Sequence, residues 1–420
     1  MLCYGRMSYI CRRITVIDKK KLVNRKRMPY NFDRIIDRRG SHDYKHGMLA
    51  ERFGDASLLP LWVADMDFAT PDFIIEALRR RLDHPILGYT MIPDEYWQSV
   101  ADWVASHHGW RPEREWLSYI PGIVKGIGMA VNVFTSPGDK IIIQPPVYHP
   151  FRLTPEGNGR EVVCNPLILN ADGSYSMDFR NLEEVCDARC RMLLLSNPHN
   201  PAGICWDRRT LTRLARFCHD HNIIVVSDEI HCDMTLFGNR HTPFATVSEE
   251  AAECSITFQA PSKTFNIAGV VSSYSIIVNS SLRERFYGWL SANELGEPPL
   301  FSTIATIAAF RHGEEWRREM LRYVEENILF VERYIADHIP GIRVLRPQAS
   351  FLVWLDCRGM GLSHHELQDL FVKKARLALN DGAMFGVGTS PNCGAGFMRL
   401  NVGTPRAVLA EALERLKAAI

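Results

Sequence analysis

Between about Ser118 and Val278, short runs of apolar, mostly β-branched residues alternate with stretches of helical periodicity. The runs are KIIIQ at 140–144, MLLLS at 192–196, IIVVS at 223–227, SITFQ at 255–259 and YSIIV at 274–278. Each has the length of a buried strand. Between two of them lies DRRTLTRLARFCHDH, opening at Asp207, where Leu211, Leu214, Ala215 and Cys218 fall at i, i+3, i+4 and i+7. That spacing lines one helix face, and the Asp207 carboxylate suits the N-cap, where it can accept a free first-turn N–H. Strands alternating with helices require crossover connections. The expected fold is therefore α/β, with a largely parallel sheet covered on both faces.

From about Glu314 the pattern changes. A long charged helical region leads to IRVLRPQASFLVWLDC, which reads as two strands. A helix at SHHELQDLFVKKA, the run GFMRLNVG and a closing helix from Thr404 complete a smaller α+β unit. The expected division is a large unit at 76–315 and a small C-terminal unit at 316–420, with residues 28–75 folding alongside the small one. Residues 1–27 read as an appendage: they carry nine Lys/Arg against one Asp, and MPYNFDRIIDRRG looks like a natural start. With one serine, Ser8, and no long apolar core, this arm reads as a disordered tail or the product of an upstream start codon rather than a targeting peptide.

The arm also hides a charge asymmetry. The chain of 420 residues has a net charge of +1, yet residues beyond the arm are acidic by seven. Such a body lacks the electrostatic footprint of a nucleic-acid binder. No apolar run approaches the roughly 18 residues that span a bilayer. Eleven cysteines show neither a CxxC pair nor zinc-like Cys/His spacing, so no metal is expected. Cys186 and Cys190, four apart, are expected to share a helix face. Reduced thiols and a cytoplasmic setting follow.

In open α/β sheets ligands gather beyond the carboxyl ends of the strands. Those ends carry chemistry here: PPVYHPF follows KIIIQ, NPHNPAG follows MLLLS, DEIH follows IIVVS, and APSK follows SITFQ. Four polar or aromatic motifs in chain order converge on one rim. A lysine, Lys263, with a carboxylate, an amide and an aromatic around it suits Schiff-base chemistry on an aromatic aldehyde cofactor. Burial or a neighbouring cation makes such an amine nucleophilic, and a carboxylate keeps a pyridine nitrogen protonated.

The series PGIVKG, PPVY, NPHNPAG, SDEIH, SK and MRLNVG resembles fold-type I pyridoxal-phosphate enzymes of the class I/II aminotransferase superfamily. NFDRIIDRRG, LWVADMDFATP, SDEIHCDM and SKTFNIAG further resemble its MalY/PatB branch, the cystathionine β-lyase-like C–S lyases, from about residue 31 onward. The resemblance implies pyridoxal 5′-phosphate in the large unit. Lys263 would form the Schiff base and move protons at Cα. Asp228 would pair with the pyridine nitrogen, Asn200 would bond the phenolic oxygen, and Tyr148 would stack on the ring. His231 stands where aminotransferases proper carry a tyrosine. The first-turn amides of Ile123 and Val124 suit a phosphate at a helix N-terminus, with Ser262 beside the lysine. Tyr89 resembles a tyrosine that reaches the phosphate across a homodimer interface. The superfamily often adds a serine three residues before the lysine and an arginine after it; here Ala260 and IAGVVSSY stand instead. Arg399 would clamp the substrate carboxylate as a bidentate fork, with the backbone of Ala64 opposite.

Other residues read as structural: His199, Lys125, Asp233, and the pocket-mouth or capping residues Trp62, Asp65 and Asp67. The paired histidines at 107–108 and 364–365 are expected to be exposed. The leading function is β-elimination from cystathionine or another S-substituted cysteine, giving thiol, pyruvate and ammonia. An aminotransferase is the alternative. A regulatory binding protein that retains the fold and cofactor is the third reading.

Overall fold

Seven strands in one sheet carry the alternation into three dimensions. The computed structural model describes residues 30–387 and 394–420; the basic arm at 1–27 lies outside the described residues. The strands are β1 (Leu117–Ile120), β2 (Lys140–Ile143), β3 (Glu161–Cys164), β4 (Cys190–Ser196), β5 (Ile224–Asp228), β6 (Ser255–Gln259) and β7 (Ser273–Ile276). Their order is β1-β7-β6-β5-β4-β2-β3. From β6 to β3 every pairing is parallel, whereas β7 runs antiparallel to both β6 and β1. The run at 274–278 is thus a strand that points away from the shared rim. Two strands, β1 and β3, were not among the expected runs.

The near-continuous apolar runs divide by the period of two. Ile142, Leu193, Leu195 and Val225 enter the core on one face of the sheet, and Ile141, Ile143, Met192, Leu194 and Val226 the core on the other. Helices cover both faces, α2 (Ile123–Phe134) on one and α3 (Arg208–Asp220) on the other, while α1 (Asp94–His108) carries the first histidine pair. In α3 the Asp207 side chain accepts from Thr210 N–H at 2.9 Å, and Leu211, Leu214, Ala215 and Cys218 are buried as their spacing requires. Each leucine contributes about 1.5–3 kcal/mol by leaving water. Helix α2 lies directly on the sheet. A Cβ on its Gly126 would come within 2.6 Å of the Ile120 Cδ1 methyl and 3.2 Å of the Phe258 ring, so a larger residue there would have to displace the Ile120 side chain.

The second sheet is antiparallel: β8 (Arg343–Leu345), β9 (Leu352–Asp356), β10 (Asn380–Asp381) and β11 (Phe397–Asn401), in the order β8-β9-β11-β10. The 25-residue α4 (Glu314–His338) and the closing α5 (Arg406–Ala419) accompany it. Leu59–Pro60 pairs in parallel with Leu377–Ala378, which ties the early segment to this part of the chain.

Two local expectations fail. Cys186 and Cys190 share no helix face: the helix Phe179–Val185 ends before Cys186, and Cys190 already opens β4. Nor are all the paired histidines exposed. His107 stacks on Trp103 with ring centroids 3.8 Å apart, and His108 Nε2 meets Asp233 Oδ1 at 2.9 Å in the interior. A carboxylate 125 residues away gives a histidine a reason to be buried that local sequence cannot reveal. His365 is exposed, while His364 pairs with Asp381 at 3.0 Å.

Candidate active site

The carboxyl ends of β2, β4, β5 and β6 meet, and β11 closes the site from the second sheet. Asp228 is the last residue of β5, and Lys263 follows β6 by four residues. Asn200 follows β4, and its carbonyl oxygen accepts from Tyr148 N–H at 3.1 Å, which joins the β2 and β4 loops. Arg399 sits within β11.

Lys263 Nζ donates to Ala64 O at 2.7 Å. Burial lowers its pKa to about 8; Asp65 and Asp228 pull it back up, and Arg399 pushes it further down. A lysine so placed is a usable base near neutrality. Asp228 shows the converse. Its Oδ1 accepts from Ile230 N–H at 3.1 Å, and burial raises the carboxyl to about 7 despite the Lys263 charge. Arg399 is buried to 3% exposure and bonds neutral oxygens: Asn200 Oδ1 (3.0 Å), Asn380 Oδ1 (2.6 Å) and Trp62 O (3.1 Å). Its Nε has no partner, and its guanidinium lies 4.8 Å from the centre of the Phe385 ring. Desolvation lowers its pKa to about 10, so it stays charged at neutral pH.

A buried acid short of donors and a buried cation without a carboxylate are incomplete charge systems. They fit pyridoxal phosphate and an amino acid. A protonated ring nitrogen would satisfy Asp228, and an α-carboxylate would satisfy Arg399. Tyr148 is partly buried, and its hydroxyl pKa is raised by burial. His231 is buried with Nδ1 unpartnered, and burial lowers its pKa to about 3, so the ring is neutral. Ser262 is buried beside the lysine. Ile123 and Val124 open α2 after Gly122, whose φ of 109° turns the chain into the helix. Their N–H groups lie in the first turn, where helical amides lack partners. Tyr89 is fully exposed in a stretch without regular structure.

Sequence reasoning missed the three asparagines that brace the site. Asn380 orients Arg399. Asn401 Nδ2 donates to Val63 O and Asp65 O, and Asn266 bonds both N–H and C=O of Met66. Asn401 was within reach as the residue two beyond Arg399 in MRLNVG, and Asn266 as the residue three beyond Lys263. It also missed a buried group behind the site, His108, Cys232 and Asp233, whose ligand-type atoms lie within 4.8 Å of one another. His199 is buried edge-on to Trp206, and Asp233 pairs with His108. Asp65 and Asp67 form ion pairs, while Trp62 donates to Lys45 O.

Comparison with known proteins identifies the family. Residues 56–416 match the family model for aminotransferase class I and II. The chain is 43% identical to cystathionine β-lyase PatB of Bacillus subtilis (strain 168), over 93% of this chain and 100% of that one. Cystalysin from Treponema denticola, whose crystal structure contains pyridoxal 5′-phosphate, superposes with a TM-score of 0.88 at 32% identity, covering 93% of this chain and 99% of that one. The pyridoxal-phosphate-bound C–S lyase from Staphylococcus hominis gives a TM-score of 0.83 at 32% identity, covering 93% and 98%.

Proposed function

We propose that this chain, which belongs to the aminotransferase class I and II family, is a pyridoxal-phosphate-dependent carbon–sulfur β-lyase. Its substrate is cystathionine or a related S-substituted L-cysteine. With water, that substrate yields a thiol, pyruvate and ammonia. The observation that carries this reading is the rim that holds Lys263, Asp228 and Arg399 together: Lys263 bonds a backbone carbonyl, Asp228 accepts from one backbone N–H, and Arg399 has no carboxylate. The 43% identity to a cystathionine β-lyase over nearly the whole chain selects the reaction type.

When bound, pyridoxal phosphate supplies an electron sink for the pair released at Cα. Asp228 would hold the ring nitrogen, Asn200 the phenolic oxygen and Tyr148 the ring face. Ile123, Val124 and Ser262 would hold the phosphate, with Tyr89 from a second copy of the chain. Arg399 grips the substrate α-carboxylate in a fork preset by Asn380 and Trp62 O. Lys263 Nζ, with its basicity reduced by burial, takes the Cα proton. Loss of the thiolate from Cβ follows. His231, neutral and buried, lines the site without adding charge.

The test is incubation of the cofactor-loaded protein with L-cystathionine in the absence of any keto acid. Equal amounts of thiol and pyruvate are expected. Turnover that requires an added keto acid and releases no pyruvate would instead mark an aminotransferase.

A homodimer completes this reading. Ile86, Leu87, Tyr89 and Met91 are exposed apolar side chains in one stretch, as a partner surface requires. Sedimentation should give twice the chain mass, and a monomer with full activity would overturn the shared site. The reading also includes the division at 76–315 and 316–420 and a cytoplasmic setting. No helix among the described residues is long and apolar enough to cross a membrane.

A further inference from the structure

The segment Trp62–Asp67 is a strap whose backbone bonds Arg399, Lys263 and two of the bracing asparagines, Asn401 and Asn266. Five consecutive carbonyl oxygens are taken. Trp62 O accepts from Arg399 (3.1 Å), Val63 O from Asn401 (2.7 Å), Ala64 O from Lys263 (2.7 Å), Asp65 O from Asn401 (2.6 Å) and Met66 O from Asn266 (2.9 Å). The strap has almost no regular structure of its own, so something must hold it.

What holds it is a compact charge cluster built on its two aspartates. Lys45 has no exposed surface, and its Nζ lies 2.9 Å from both carboxylate oxygens of Asp67 and 3.7 Å from Asp65. Arg38 binds Asp65 through two nitrogens (2.7 and 3.1 Å), Asp67 at 2.9 Å and Asp43 at 3.2 Å. The bidentate fork fixes direction as well as distance. Trp62 Nε1 bonds Lys45 O at 2.9 Å and anchors the other end.

We propose that Arg38 and Lys45 are positioning residues: by pinning and neutralising Asp65 and Asp67, they fix the strap under Lys263 and leave its amine free to act as a base. The proposal rests on the reading of Lys263 as the proton-moving residue. The charged groups facing Lys263 are Asp65 on the strap, Arg399 on β11 and Asp228 at the end of β5; the fourth neighbour, His231, is neutral. Asp65 is therefore the near anion whose charge Arg38 offsets. If Arg38 loses its charge, Asp65 stabilises the ammonium and Lys263 becomes harder to deprotonate. If Asp65 loses its charge, the amine is freed at lower pH.

The test is the pH dependence of Lys263 labelling in the full chain freed of cofactor. Acetic anhydride serves as probe and peptide mass spectrometry as readout, with circular dichroism to verify folding. The variants are Arg38→Gln and Asp65→Asn, chosen because both side chains are partly exposed; Lys45→Met would strand Asp67 in the interior. Arg38→Gln is expected to raise the labelling midpoint and Asp65→Asn to lower it, each by about one pH unit. The acid limb of the pH–rate profile of the loaded enzyme should move in the same two directions. Folded variants that leave the midpoint in place, or move it the same way, would overturn the proposal. If only Asp65→Asn folds, a fall in its midpoint supports it and an unmoved midpoint sinks it. Labelling reads Lys263 whether or not the chain cleaves cystathionine, so failure of the lyase reading remains distinguishable.

Discussion

Asp228 and Glu229 are neighbours at the end of one strand, both buried, and their surroundings are opposite. Glu229 accepts from Ser227 Oγ (2.9 Å), Phe244 N–H (2.8 Å), His241 Nε2 (2.9 Å) and Gln259 Nε2 (3.0 Å), and its pKa falls although burial alone would raise it. Asp228 receives Ile230 N–H at 3.1 Å and is raised to about 7. The strand's alternation sends one side chain to the rim and the next to the interior behind it. An acid whose donors are all supplied by the protein holds the fold together. An acid left short of donors is a place for a ligand. The same contrast separates Arg399, which lacks a carboxylate, from Lys45, which is fully paired.

Variants can break or sharpen that contrast. The largest effect is expected from Lys263→Ala, which removes nucleophile and base together: turnover of cystathionine should fall at least about 10³–10⁴-fold, with the urea midpoint little changed. Retention of activity within tenfold would break the assignment. Next come the neighbours. Asp228→Asn should lower activity at least about 100-fold and preserve the fold. Glu229→Ala should cost about 3–5 kcal/mol in urea unfolding, because it strands His241 and several donors. If the two variants exchanged phenotypes, the division between ligand site and scaffold would fail. Arg399→Lys keeps the charge and loses the fork, so kcat/KM should drop about 10–100-fold, mainly through KM.

The smallest effect is a pH dependence of opposite sign at the two acids. Asp228 is raised in the folded, cofactor-free chain, so the folded state holds a proton there that the unfolded chain has released. Its contribution to stability is present below about pH 4 and lost as pH rises through about 7. Glu229 is lowered, so its contribution is present above the ordinary glutamate range and lost as pH falls below it. Stability of wild type minus Asp228→Asn, followed by urea unfolding from about pH 4 to 8, should therefore decline with pH and then level off. A flat difference would show that the Asp228 carboxyl is not strained by burial.

Much of the site could be read from strand ends. Asp228, Lys263, Asn200 and Tyr148 each lie within a few residues of an apolar run, where a parallel sheet must present them. Arg399 required the motif around it. Glu229 was hidden inside SDEIH, because adjacent positions look alike until the pleat assigns them to different faces. The edge strand β3 has no continuous buried run to reveal it, since its pattern runs from exposed to half-buried. Backbone carbonyls carry no side-chain signature, so although Trp62, Ala64, Asp65 and Asp67 were singled out, the run of bonded carbonyls at 62–66 was invisible.

Apolar periodicity, the Asp207 cap and the residues at the strand ends thus came from the sequence alone, because they depend on local spacing and on which groups each residue type can offer. Tertiary structure decided which charges are left incomplete. That required bringing Arg38 to Asp65, His108 to Asp233 and His241 to Glu229 across long separations, and no local pattern encodes such meetings. Burial then acts on the result: it raises the pKa of both Asp228 and Glu229, and only at Glu229 do His241 and the supplied donors outweigh it.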